Sequence, residues 1–93
     1  MIVAVLSIKL VMRQARSLKD KRRIIKSLKD RVRNKFNVSV AEIGMQDNRQ
    51  CSVIGVSMIG NDRRYLNGAL SNVINILEFY PQVELADYQI EFL

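Results

Sequence analysis

Near residue 18, the spacing of apolar residues changes from every second residue to every third or fourth. This change constrains the fold more than any other feature of the sequence. In "MIVAVLSIKLVM", alternate apolar residues from Ile2 to Met12 share one face, a pattern typical of a strand. Because Val3 and Val5 make the opposite face apolar as well, we expect this strand in the centre of a sheet. An amphipathic helix follows, in which apolar residues recur at helical spacing. These residues are Leu18, Ile25, Leu28, Val32 and Phe36.

The second half of the chain repeats both patterns. The segments "NVSVAEIGM" (37–45) and "CSVIGVSMI" (51–59) alternate as strands and flank the polar turn "QDNRQ", which predicts a hairpin. Residues 60–62 offer a cap for a second amphipathic helix, which Pro81 stops. The last segment, "VELADYQIEFL", reads as a strand.

The predicted order is therefore βαββαβ, the ferredoxin-like α+β plan, with an antiparallel four-stranded sheet and two helices on one face. A chain of 93 residues with 48% hydrophobic content is expected to form one domain over residues 1–93. Strand parity predicts which residues the open sheet face presents. They are Val3, Val5, Ser7, Val53, Gly55, Ser57, Leu85, Asp87, Gln89 and Glu91.

The tetrapeptide SLKD occurs twice, at residues 17–20 and 27–30. In the first copy, Ser17 precedes the helix and Asp20 follows three residues later, which predicts a reciprocal capping box. Ten residues turn a helix by about 1,000°, so the second copy lies mid-helix about 80° away from the first. The repeat therefore predicts a helix start and no shared function.

Basic residues concentrate in the first helix and the loop before it. Residues 13–35 hold eleven Lys or Arg and two Asp, a net charge of +9, so the remainder carries −3 of the total +6. Five cations at alternating spacings of three and four form what we call the basic stripe, within an arc of about 80° and a length of about 21 Å. The stripe consists of Lys19, Arg22, Lys26, Lys29 and Arg33, and Arg13 and Arg16 precede it.

The stripe has two interpretations, a solvated helix face or a site for an anionic partner. Few acids are interspersed to pair with these cations, so the like charges repel, which favours an anion-binding role. Phosphate backbones are the commonest such partners. The sequence thus predicts nucleic-acid binding by Arg13, Arg16 and the stripe, with RNA or a ribosomal particle as the partner.

Several classes of site are excluded by composition. The chain has no histidine and one cysteine, Cys51, which rules out an internal disulfide, a Cys/His zinc cluster and a Cys–His catalytic pair. We expect no metal and no cofactor. No apolar run reaches the roughly 20 residues of a membrane span, and the N-terminus lacks a signal-peptide pattern, so we expect a cytoplasmic location without membrane contact.

The segments "ARSLKDKRR", "KSLKDRVRNKFNVSVAEI" and "VIGV", with the acidic last strand, resemble the YlxP-like family of small bacterial proteins, a domain of unknown function. The resemblance implies a ferredoxin-like fold in a cytosolic bacterial protein, whose family genes often lie among those for translation initiation and ribosome maturation. It implies no catalytic residues. The family's usual hairpin is similar to "HQDLWQR", and here Met45 and Arg49 stand at its histidine and tryptophan places.

The open sheet face lacks the aromatic residues with which RNA-recognition motifs stack bases, so RNA is expected at the helix side. The main expectation is a non-enzymatic RNA-associated protein, with a homodimer through the open sheet face or an edge strand. A homo-oligomeric regulatory domain for a small ligand is an alternative. An acylphosphatase-like hydrolase using Arg16 with Asn37 or Asn48 is another, although "VMRQARS" lacks a glycine-rich phosphate cradle.

Overall fold

In the computed structural model, which describes residues 1–93, four strands and two helices follow in the predicted order. They are β1 (Ile2–Val11), α1 (Leu18–Lys35), β2 (Ser39–Gly44), β3 (Cys51–Gly60), α2 (Arg63–Glu78) and β4 (Glu84–Phe92). The strands form one antiparallel sheet in the order β2-β3-β1-β4, with β1 central. The ferredoxin-like α+β prediction is confirmed.

The core lies between the two helices and one face of the sheet. Alternate residues of β1, from Ala4 to Leu10, are fully buried there, as the period of two predicts. Ile54 and Val56 of β3 and Leu70 of α2 belong to the same apolar cluster, which contains 21 buried residues. The opposite sheet face carries no helix, so it remains open.

A bulge in β4 changes which residues reach the open face. Lys9 pairs with Asp87, but the next residue, Leu10, pairs with Leu85, so one residue of β4 is left over. The prediction for Leu85 is wrong, because the extra residue turns its side chain to the helix side, where it packs against the core. Asp87, Gln89 and Glu91 pair with residues of the open-face row of β1, as predicted.

The first SLKD copy caps α1, with one difference from the predicted capping box. Ser17 has extended backbone geometry, and its hydroxyl accepts from the Asp20 amide at 3.1 Å. The Asp20 carboxylate accepts from the amide of Arg16 at 3.1 Å, one residue earlier than the reciprocal bond requires. The second copy also has a contact, since the Ser27 hydroxyl hydrogen-bonds the Tyr80 hydroxyl beyond the end of α2.

Removing the cap acceptor should destabilise the fold. We expect Ser17→Ala to lower the free energy of unfolding by about 0.5–2 kcal/mol, because the Asp20 amide in the first turn loses its acceptor. Ser17→Asp supplies another acceptor and should stay close to the parent. Urea melts of the three proteins measure this, and an alanine variant as stable as the aspartate variant would show that the cap contributes nothing.

Candidate nucleic-acid interface

The basic stripe lies along α1 on the side next to the edge strand β2. The adjoining face of the helix packs on the sheet through Ile25, Leu28 and Val32. The Arg33 guanidinium donates to the backbone oxygen of Val40 in β2 at 2.8 Å, which fixes that end of the stripe against the sheet edge. The stripe therefore runs along the boundary between helix and sheet.

Three stripe cations have no partner within the chain. Lys19, Arg22 and Lys26 are exposed and make no side-chain hydrogen bond or ion pair. Lys29 is half-buried, and Arg33 lies 3.8 Å from Asp30. The three free cations in the N-terminal half of α1 are therefore the part of the stripe best placed to bind an anion.

Arg13 and Arg16, the two arginines predicted to add positive charge in the loop before α1, lie in that loop and line a polar cleft. Arg13 forms an ion pair with Glu84 of β4, Nε to Oε2 at 2.5 Å. This cleft, of about 640 Å³, lies between the β1–α1 loop and the β2–β3 turn, and we call it the arginine cleft. Its polar lining residues are Arg13, Gln14, Arg16, Arg49, Gln50 and Gln82.

Lys21 is fully buried and takes no part in the stripe. Its ammonium group donates to the backbone oxygens of Met45 at 2.6 Å and Asn48 at 2.5 Å, and lies 3.0 Å from Glu42 Oε2. These three short contacts match the three protons of an ammonium group, and the backbone oxygen of Gln46 is a fourth, longer acceptor at 3.4 Å. Glu42 accepts a further hydrogen bond from the Ser52 hydroxyl at 2.6 Å, so the buried pair is satisfied on both sides.

The β2–β3 turn and the β1–α1 loop are also joined directly. The Gln50 side-chain amide donates to the backbone oxygen of Arg13 at 3.1 Å, and the Met12 amide donates to Gln50 O at 2.6 Å. Asn48 Oδ1 accepts from the amides of Gln50 and Cys51, which holds the turn. The arginine cleft thus lies between two segments whose backbones are fixed relative to each other.

The sequence contained a signal for the buried pair. Leu18 and Ile25 are seven residues apart in the apolar stripe of α1, and Lys21 occupies the helical position between them. Glu42 lies in the core-facing row of β2, two residues after Val40. A positive and a negative residue at core positions of neighbouring elements predict such a pair. Arg49 has no comparable signal, because turn residues follow no period.

The residues proposed for an acylphosphatase-like site are not all brought together. Arg16 precedes α1 and Asn37 follows it, so the 18-residue helix separates them by about 27 Å. Asn48 lies in the turn near the arginine cleft, where its side-chain oxygen already accepts hydrogen bonds from two backbone amides. No group of His, Cys, Asp and Glu has the arrangement of a metal site, and no helix is long and apolar enough to cross a membrane.

A ferredoxin-like domain with a basic first helix is the class that fold and surface define. Residues 3–90 match the model of a family described as "Protein of unknown function (DUF503)", and the chain belongs to this family. It is 39% identical over 70 residues to the uncharacterized protein YlxP of Bacillus subtilis, covering 75% of this chain and 76% of that protein. The resemblance to the YlxP-like family is confirmed.

A solved structure supports the fold alone. The de novo designed protein Foldit4 superposes with a TM-score of 0.57 at 16% identity, over 100% of this chain and 97% of the designed one. Because the designed protein shares the architecture at such low identity, the comparison carries no information about function.

Replacing Lys21 should be far more damaging than replacing a stripe lysine. We expect Lys21→Met to lower the free energy of unfolding by at least about 3 kcal/mol, because Glu42 and the carbonyl oxygens of the β2–β3 turn lose their partner. Lys26→Met removes one exposed charge and should change it by less than about 0.5 kcal/mol. Urea unfolding measures both, and equal losses would show that the buried ammonium group does not stabilise the fold.

Proposed function

We propose that this protein is a non-enzymatic cytoplasmic binding protein that associates with RNA or a ribonucleoprotein through α1, in the context of translation or ribosome maturation. The observation that carries the proposal is the set of three exposed cations, Lys19, Arg22 and Lys26, that have no partner in the chain. The genomic context implied by the YlxP-like family supports a partner in translation.

The energetics of the helix surface favour a polyanion over solvent alone. Neighbouring like charges three or four residues apart destabilise a helix by about 0.2–0.5 kcal/mol per pair. Lys19, Arg22 and Lys26 form two such pairs in succession. A phosphate backbone along the stripe relieves this repulsion and releases counterions, which makes binding favourable without base recognition.

The open sheet face is a poor surface for RNA. None of its side chains is aromatic, so it offers no platform for stacking bases. Tyr88 of β4 pairs with Ile8, in the row that faces the helices. Asp87 and Glu91 lie on the open face and repel phosphate. The charges therefore support contact through α1 and not through the sheet.

RNA affinity should depend steeply on salt. For single strands, log K falls with log salt by about 0.7 per neutralised phosphate, so contact with all five stripe cations predicts a slope of about −3.5, and contact with the three free cations alone about −2.1. Replacing Lys19, Arg22 and Lys26 together by Gln should reduce the magnitude of this slope by about 2. Gln is chosen because it has a helix propensity similar to that of Lys and Arg. Fluorescence anisotropy with single-stranded oligoribonucleotides of different sequence measures the slope and any base preference.

The matched control replaces Arg31 and Arg64 by Gln. Arg31 lies on α1 away from the stripe and Arg64 lies at the start of α2, and both are exposed. These substitutions should leave the slope close to that of the parent. If the stripe variant keeps the parent's affinity and salt slope, the stripe is a solvated face and the proposal fails.

Homodimer formation through the open sheet face is a second proposal, supported by an apolar groove there. The groove, of about 280 Å³, is lined by residues including Val5, Ala41, Ile43 and Gly55. Ile43 is 54% exposed, and it covers Gly55 so closely that a Cβ on this glycine would lie 3.1 Å from the Ile43 side chain. A second sheet packed on this face would bury these side chains.

Light scattering tests the dimer. We expect a mass near twice the 10.7 kDa of the chain at high micromolar concentration, and Val5→Glu should return it to a monomer by placing charge in the groove. Asn67→Glu, on the exposed side of α2, should leave the dimer intact. A monomeric parent up to near-millimolar concentration would rule the dimer out.

A further inference from the structure

The arginine cleft combines several cationic and amide donors in one concave space. Arg13, Arg16 and Arg49 line it, and its lining contains no carboxylate. Gln14, Gln50 and Gln82 contribute side-chain amides. Its volume of about 640 Å³ lies within the range of pockets that hold small ligands.

Two of the arginines are free to bind. Arg13 is paired with Glu84, whereas the guanidinium groups of Arg16 and Arg49 make no hydrogen bond or ion pair in the chain. A guanidinium group presents its donors in a planar fork that matches two oxygens of a phosphate. Two free guanidinium groups therefore match the two negative charges of a phosphate monoester better than the single charge of a backbone diester.

The backbone of the cleft is organised before any ligand arrives. The Gln50 side-chain amide donates a hydrogen bond to the backbone of the β1–α1 loop. Lys21 donates hydrogen bonds to carbonyl oxygens of the β2–β3 turn and so holds that turn in place. Arg16 and Arg49 project from these two fixed segments. Less conformational entropy is lost on binding when the surrounding backbone is already ordered, which raises affinity.

We propose that the arginine cleft is a binding site for a phosphate monoester, in which Arg16 and Arg49 hold the phosphate oxygens. Inorganic phosphate, a nucleoside monophosphate and the 5′-phosphate end of an RNA all supply this chemistry. The site goes beyond the proposed function of the stripe, because it requires none of Lys19, Arg22 or Lys26.

Titrations of the ¹⁵N-labelled full chain, followed by amide chemical shifts at constant ionic strength, test the site. Inorganic phosphate and adenosine 5′-monophosphate should give saturable shifts at residues 13–16 and 49–50, and adenosine should give none there. Tighter binding of the nucleotide than of phosphate indicates a small-molecule ligand. A preference for a 5′-phosphorylated oligoribonucleotide over both the mononucleotide and its 5′-hydroxyl form indicates an RNA end.

Variants separate this site from the stripe. Arg16→Gln and Arg49→Gln should each raise the dissociation constant for phosphate by at least about tenfold, with unchanged shifts elsewhere as the check on folding. Arg31→Gln should leave it unchanged, and the stripe variant should lose RNA affinity but keep phosphate binding. Absence of saturable shifts at the cleft, or equal phosphate affinity in the Arg16→Gln/Arg49→Gln double variant, would overturn the proposal.

Discussion

The buried ammonium group of Lys21 connects the three segments that shape the basic end of the molecule. It projects from the first turns of α1, pairs with Glu42 of β2 and binds carbonyl oxygens of the β2–β3 turn. A buried charge is tolerated only when its protons are satisfied, so the turn must keep the conformation that presents these oxygens. That conformation includes Met45 in the left-handed region, at φ 58°. This contact therefore ties α1 to the turn that borders the arginine cleft.

The basic residues of α1 fall into two groups, the buried Lys21 and the exposed cations of the stripe. Lys21 faces the core and is paired with Glu42, so it cannot bind a partner. Lys19, Arg22 and Lys26 are exposed to solvent and remain available for binding an anion. Asp87 and Glu91 of β4 lie on the open face of the sheet, whereas the unpaired cations Lys19, Arg22 and Lys26 lie on α1. A protein with one cationic side can engage a polyanion in a single orientation, which suits the proposed role on a ribonucleoprotein particle.

The sequence predicted what depends on local pattern and missed what depends on partners distant along the chain. The core face of β1 and the cap at Ser17 follow from period and residue type, and both were predicted. Leu85 was assigned to the wrong face because a bulge is set by the pairing of two strands and not by alternation in one. The partners of Lys21 were missed because three of them are backbone oxygens, 24, 25 and 27 residues away, whose direction depends on the turn.

The most direct test of the central claim is to map where single-stranded RNA contacts the protein, from amide chemical shifts of the ¹⁵N-labelled chain at low salt. We expect a 5′-hydroxyl oligoribonucleotide to shift the amides of α1 from Lys19 to Arg33, with little effect on the open-face residues of β1 and β3. Shifts centred on the open sheet face, or an unchanged spectrum at saturating RNA, would contradict it.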